Sequence, residues 1–195
     1  MIGAVKPRNA ILFAVALALT ALGAISLARA ATPRSATPAA ARAGVFVGRI
    51  AAKGRTAVDP GDGTKLVLTR LTLRGTRLAD LGSDGPPPPD EELEMWFRGG
   101  VVSEDLGSFV ADAPAEHETR VGRWAVVMHR RSENLGILDD GSVLAGEALE
   151  GGRAGLFTAF VATSGTLIVQ GRPGTQIGRN VPANALQRMI PAGSR

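Results

Sequence analysis

Two segments decide the fold class: Lys65-Leu-Val-Leu-Thr-Arg-Leu-Thr-Leu-Arg74 and Glu92-Leu-Glu-Met-Trp-Phe97. In the first, the odd positions Val67, Leu71 and Leu73 are apolar, and the even positions Arg70, Thr72 and Arg74 are polar. In the second, Leu93, Met95 and Phe97 face one way and Glu92 and Glu94 the other. This is the two-residue period of a strand with one buried face, not the period of a helix. Upstream, Val45–Ile50 is rich in β-branched and aromatic residues and reads as a first strand. Downstream, Arg123–His129 (RWAVVMH) is apolar on both faces, as a strand covered on both sides must be.

The C-terminal third reads as an antiparallel meander. Leu135–Leu138 leads through Asp139-Asp140-Gly141 into Ser142–Ala148, and Asp-Gly is a preferred pair for a tight hairpin. Gly151-Gly152 then separates Ala154–Ala162, and Thr163-Ser164-Gly165 separates Thr166–Gln170. Asn184–Ile190 fits one or two helical turns, capped by Asn184 and apolar at Leu186, Met189 and Ile190. The expectation is an all-β chain: a small antiparallel OB-like barrel or sandwich of seven to eight strands, forming a single β-domain over 44–195. A partly closed barrel is preferred, because an open strand edge recruits other chains.

Residues 1–30 read differently. Lys6 and Arg8 precede an uncharged run from Ala10 to Leu27, which ends in Ala28-Arg29-Ala30. A positive start, an apolar middle and a small-x-small end describe a signal peptide, expected as a helix cleaved after Ala30. An uncleaved anchor is the rival reading, since the run approaches the length that spans a bilayer. The expected destination is periplasmic, cell-surface or extracellular. Residues 31–43 (ATPRSATPAAARA) have no apolar period and read as a flexible tether.

Composition excludes several function classes. The leader contributes Lys6, Arg8 and Arg29 and no acid, so the net charge of +4 falls to +1 for residues 31–195. A nearly neutral chain gives no electrostatic reason to bind nucleic acid, and membrane contact is expected only through an uncleaved signal segment. The chain has no Cys, which removes disulfides, thiol nucleophiles and Cys-based zinc sites.

A series of segments carries a resemblance: Gly44-Val-Phe-Val-Gly-Arg-Ile50, Thr69-Arg-Leu-Thr-Leu-Arg-Gly75, Leu93–Gly100 (LEMWFRGG), Val110-Ala-Asp-Ala-Pro114 and Val121-Gly-Arg-Trp-Ala-Val-Val-Met128. In this order they resemble the small secreted β-domains of bacterial envelope proteins. More distantly, they are similar to the netrin-like OB-fold barrel of tissue inhibitors of metalloproteinases. The resemblance covers roughly residues 44–130 and implies a barrel. It does not carry over the inhibitors' chemistry, which uses an N-terminal Cys to chelate zinc and disulfides to hold the scaffold; this chain has no Cys.

Few residues suggest reaction chemistry. No G-x-S-x-G elbow is present, and only His117 and His129 could serve as an imidazole base. His129 ends an apolar strand and reads as a structural, hydrogen-bonded or solvated side chain. His117 lies in Ala115-Glu-His-Glu-Thr119, near Asp112, Glu116 and Glu118, a set of metal-ligand types without the helical H-E-x-x-H spacing. Asp59-Pro-Gly-Asp-Gly63 lacks the ligand register of a calcium loop and is ordinary turn chemistry. Pro86–Pro89 reads as a stiff loop between strands. Trp96 is out of phase, falling on the face of Glu92 and Glu94, where it is either covered by another segment or free to anchor a ligand.

These observations favour a non-catalytic secreted β-module, without cofactor, that binds another protein or an envelope component through a surface including Trp96. The alternatives are a metal-dependent hydrolase built on the His117 loop and a protease-associated or inhibitory module.

Overall fold

A computed structural model describes residues 44–81 and 85–189. The signal segment 1–30, the tether 31–43 and Ile190 lie outside the described residues. All described residues belong to one unit, Ala40–Arg195. Among them no helix is long and apolar enough to cross a membrane.

The chain is mostly β. Strand β1 (Gly44–Val58) is followed by β2 (Leu66–Arg77), β3 (Glu91–Arg98), β4 (Gly100–Ser103), β5 (Leu106–Ser108), β6 (Trp124–Ile137), β7 (Val143–Leu149), β8 (Leu156–Val161), β9 (Leu167–Val169) and β10 (Val181–Pro182). A short α1 (Leu186–Met189) follows a 3₁₀ turn at Ala183–Ala185. One large sheet has the order β1-β2-β3-β7-β6-β8-β9-β10, and β1 pairs in addition with β6. β4 and β5 form a separate hairpin.

Two apolar clusters lie on opposite sides of the β1–β6 pair. Phe46, Ile50, Ala125 and Val127 pack with Leu71, Leu73, Met95 and Phe97. Val45, Val47 and Val126 pack the other way, against Phe157, Leu167, Val169, Val181 and Leu186. Cross-strand partners stay on one side: Phe46 opposes Val127, and Val47 opposes Val126. The two-sided apolar character expected of Arg123–His129 is therefore real, and its cause is a core on each face. The odd face of β2 is buried at Val67, Thr69, Leu71 and Leu73.

The outer face of β2 and β3 is a ladder of opposite charges. Arg70 pairs with Glu94 at 3.4 Å, Arg74 with Glu92 at 3.1 Å and Arg77 with Glu91 at 3.4 Å. These exposed pairs set register more than they add stability.

Several expectations change. The sheet is mixed, not purely antiparallel: β3 runs parallel to β7, with Met95 opposite Glu147 and Trp96 opposite Ala148. The described residues form ten strands; the additions are the short β4–β5 hairpin and β10, too brief to show a period. The separately expected Arg123–His129 and Leu135–Leu138 are one strand, β6. Its stretch 133–135 bulges opposite Ala145, and Gly136 (φ +143°) completes the bend. The meander also breaks, because β8 does not pair with β7. It continues along the edge of β6 that β7 has just left, with Val126 opposite Phe157 and His129 opposite Leu149.

Close approach of β1 to β2 requires glycine at one crossing. Gly48 and Gly75 face each other, and a Cβ on Gly75 would lie 2.0 Å from the Val47 carbonyl oxygen. No flexible side chain can yield there, because the obstacle is backbone. Gly75→Ala should destabilise the fold by about 1–3 kcal/mol. Scanning calorimetry would read this as a lower unfolding midpoint, and an unchanged midpoint would refute the close-packing argument.

Candidate functional site

The acidic loop between β5 and β6 does not converge on a shared point. Glu116 is an exposed carboxylate turned toward β1, 2.8 Å from Lys53 Nζ and 3.2 Å from Arg55 Nη2. The hydrogen bond from Lys53 holds its pKa below the ordinary value, and the charges of Lys53, Arg55 and Arg120 add to this. Glu118 turns the other way and is buried. It accepts hydrogen bonds from the Ala115 N–H at 2.8 Å and from Arg153 Nε at 3.0 Å, and Arg172 Nη2 stands 3.6 Å away. Burial, the largest single influence, pushes the Glu118 pKa up. The Arg153 and Ala115 hydrogen bonds and the two guanidinium charges outweigh it, so the net shift is downward.

His117 is exposed, and its carbonyl accepts from Arg123 Nη1 at 3.1 Å. Asp112 is exposed, with its carbonyl taking the Arg153 N–H at 2.5 Å. His129 is elsewhere: its Nδ1 lies 2.8 Å from Glu147 Oε2 on β7, which fits the structural reading. Among the described residues no group of three or more His, Asp or Glu side chains is placed to hold a metal ion. The loop's order is electrostatic. Arg153 and Arg172 tie Glu118 to the turn after β7 and to the segment after β9, and Arg172 also donates to the carbonyls of Arg153 and Leu156.

Trp96 is covered, the blander of its two readings. It is 8% exposed and packs with Val58 and Leu68, and with Leu66, Leu135, Leu138 and Leu144 around it. The cover is the far end of the β6–β7 hairpin, held down by an Asp59–Ile137 bridge and by the Lys65–Asp139 ion pair. Arg70 stacks over the indole at 5.7 Å from its centroid. Pro86–Pro89 is a stiff segment leading into β3, with Pro87 buried and three of its prolines bordering an apolar groove beside Trp124.

A cleft of about 810 Å³ lies between the end of β3, the 110–114 segment, the bulged part of β6 and the end of β7. Trp96, Phe97 and Leu149 form part of its wall, and Arg98, Arg130 and Arg131 reach it. The three arginines escaped the sequence reading. A lone Arg after a clean alternation and an Arg pair after an apolar strand have no diagnostic spacing. Their one signal was that the polar run at 130–134 interrupts a strand that is apolar on both faces.

Comparison with protein-family models, curated proteins and solved structures finds no match for this chain.

Trp96→Ala should cost about 3–5 kcal/mol, the range for emptying a buried aromatic site, and Trp96→Phe much less. Urea unfolding of both variants measures this, and a wild-type midpoint for the alanine variant would return Trp96 to the surface. For Glu118 the sign follows from its lowered pKa. The ionised form is favoured in the folded state, so its contribution is complete above the ordinary value of 4.5 and fades as pH falls through the lower folded value. The stability gap between wild type and Glu118→Gln should therefore be widest near neutral pH and shrink below about pH 4. A gap independent of pH would contradict the ion-pair account.

Proposed function

We propose that the chain is an exported, non-catalytic β-module that binds another protein or an envelope component, built on an OB-like barrel. Support for the barrel comes from the circuit of pairings. β1 joins β2, β2 joins β3, β3 joins β7, β7 joins β6, and β6 returns to β1. A sheet that comes back to its first strand has no edge within that circuit, which relieves the liability of an open strand. Export rests on the composition of residues 1–30.

One observation carries the preference for binding over catalysis. The cleft has a partly aromatic wall and three guanidinium groups, and no histidine lines it. Its Ser132 hydroxyl is engaged by the Asn134 carbonyl, to which it donates at 3.0 Å. Guanidinium stays charged at any physiological pH, so it holds anions well and shuttles protons poorly. The hydrolase alternative needs the 112–118 carboxylates for a metal, and Glu116 and Glu118 are engaged by lysine and arginine instead.

The full chain should be retained on native envelope fractions, and retention should survive both EDTA and the His117→Ala substitution. Prior protease treatment of the fraction tells a protein partner from another component. Loss of retention in EDTA, or metal-dependent hydrolysis that His117→Ala abolishes, would defeat the reading.

A further inference from the structure

We propose that the apolar groove beside Trp124 binds an alkyl carboxylate, a hydrocarbon chain ended by one anionic head. The inference goes beyond the binding-module reading. It uses a site that shares no lining residue with the cleft at the end of β3. The groove holds about 470 Å³, a volume in the range of small-molecule sites.

One row of cross-strand partners supplies the groove's charges and its indole. Glu92 on β3 opposes Arg74 on β2, Arg74 opposes Arg49 on β1, and Arg49 opposes Trp124 on β6. Directly opposite residues on antiparallel strands share a face, so these four side chains stand on one side of the sheet. Arg74, Arg49 and Trp124 line the groove, and Pro86, Pro87, Pro89 and Val121 add apolar surface. Val121 is 53% exposed, so part of that surface meets water. No lining residue is acidic.

Arg49 and Arg74 face each other as like charges, an arrangement that costs stability between paired strands. Glu92 answers one of them, accepting from Arg74 Nε at 3.1 Å. Among the described residues Arg49 meets no carboxylate. Its side chain makes one hydrogen bond, from Nε to the Gly122 carbonyl at 2.8 Å. That bond fixes the guanidinium on the strand and leaves both of its Nη groups as donors for another acceptor. Asp90 follows Pro89 in the chain, but it forms no ion pair and is not part of the lining. Two guanidinium groups and one carboxylate leave one positive charge uncompensated, which one anionic head balances. The rest of a ligand would lie on proline rings, valine and indole. Those groups reward buried CH₂ and penalise a second charge.

Isothermal titration of the full chain with octanoate, 1-octanol and acetate near neutral pH tests the assignment. Octanoate should bind at least about tenfold more tightly than either, because octanol lacks the charge and acetate lacks the chain. Added salt should weaken octanoate binding. Arg49→Gln should weaken it by roughly tenfold or more, as loss of a charge-assisted contact does, and leave octanol unaffected. Arg49 is exposed, so this variant is expected to fold, and a wild-type circular dichroism spectrum verifies it. Val121→Asp, at a second exposed position, puts a carboxylate in the groove and should also weaken octanoate. Octanoate should shift the tryptophan emission, and Trp124→Phe should remove the shift, since the other tryptophan, Trp96, is outside this groove. Octanol or acetate binding as tightly as octanoate, or no heat from octanoate up to about 10 mM, would overturn the proposal. So would wild-type octanoate affinity in a folded charge variant, or an emission shift that persists in Trp124→Phe. Silent titrations with envelope retention intact remove this groove alone; octanoate binding without retention keeps the groove and removes the binding-module reading.

Discussion

The pairing of Phe46 and Val47 on β1 with Val127 and Val126 on β6 is the constraint on which the other packing depends. It makes one two-stranded wall with apolar side chains on both faces. Each face then needs its own cover. β2 and β3 supply one, through Leu71, Leu73, Met95 and Phe97. β8, β9, β10 and the C-terminal turn supply the other, through Phe157, Leu167, Val169, Val181 and Leu186. A charge placed at Val126 or Val127 would be stranded inside the core on that residue's face, away from water.

The wall also explains the course of the chain after β6. Residues 124–129 are paired with β1 on one edge. The other edge is shared in turn by β7, opposite His129 to Ile137, and by β8, opposite Trp124 to Val127. The turn between β7 and β8 must therefore hand the edge from one strand to the next. Gly155 makes this turn tight, since a Cβ there would lie 1.8 Å from the Glu150 carbonyl oxygen. Glu118 and Arg172 brace the same turn from outside through Arg153. The acidic loop that looked like a site of chemistry works as a clamp on this handover.

The bulge of β6 has two consequences. It tilts the β6–β7 hairpin over the end of β1 and β2, burying Trp96 against Leu135 and Leu144. It also leaves the strand's polar residues, Arg130 to Asn134, around a cleft instead of in a flat sheet. The feature that covers Trp96 is thus the feature that opens this cleft.

The amino-acid order by itself determined where the strands with a buried face lie. A period of two is a local property: Val67, Leu71 and Leu73, or Leu93, Met95 and Phe97, need no knowledge of partners to reveal their buried side. It also marked β6 as two-faced, because Arg123–His129 has no polar face to give to water. Turn positions were legible for the same local reason, as Gly141, Gly151 and Gly165 adopt positive φ at the expected breaks. Tertiary structure alone decided which strands are neighbours, that β3 runs parallel to β7, and what covers Trp96. It alone decided that Glu116 and Glu118 turn apart toward different cations, and that Arg98 meets Arg130 and Arg131 at one cleft. Those outcomes depend on contacts between residues tens of positions apart. Side-chain charge acts over ångströms in space, and a sequence gives only distance along the chain.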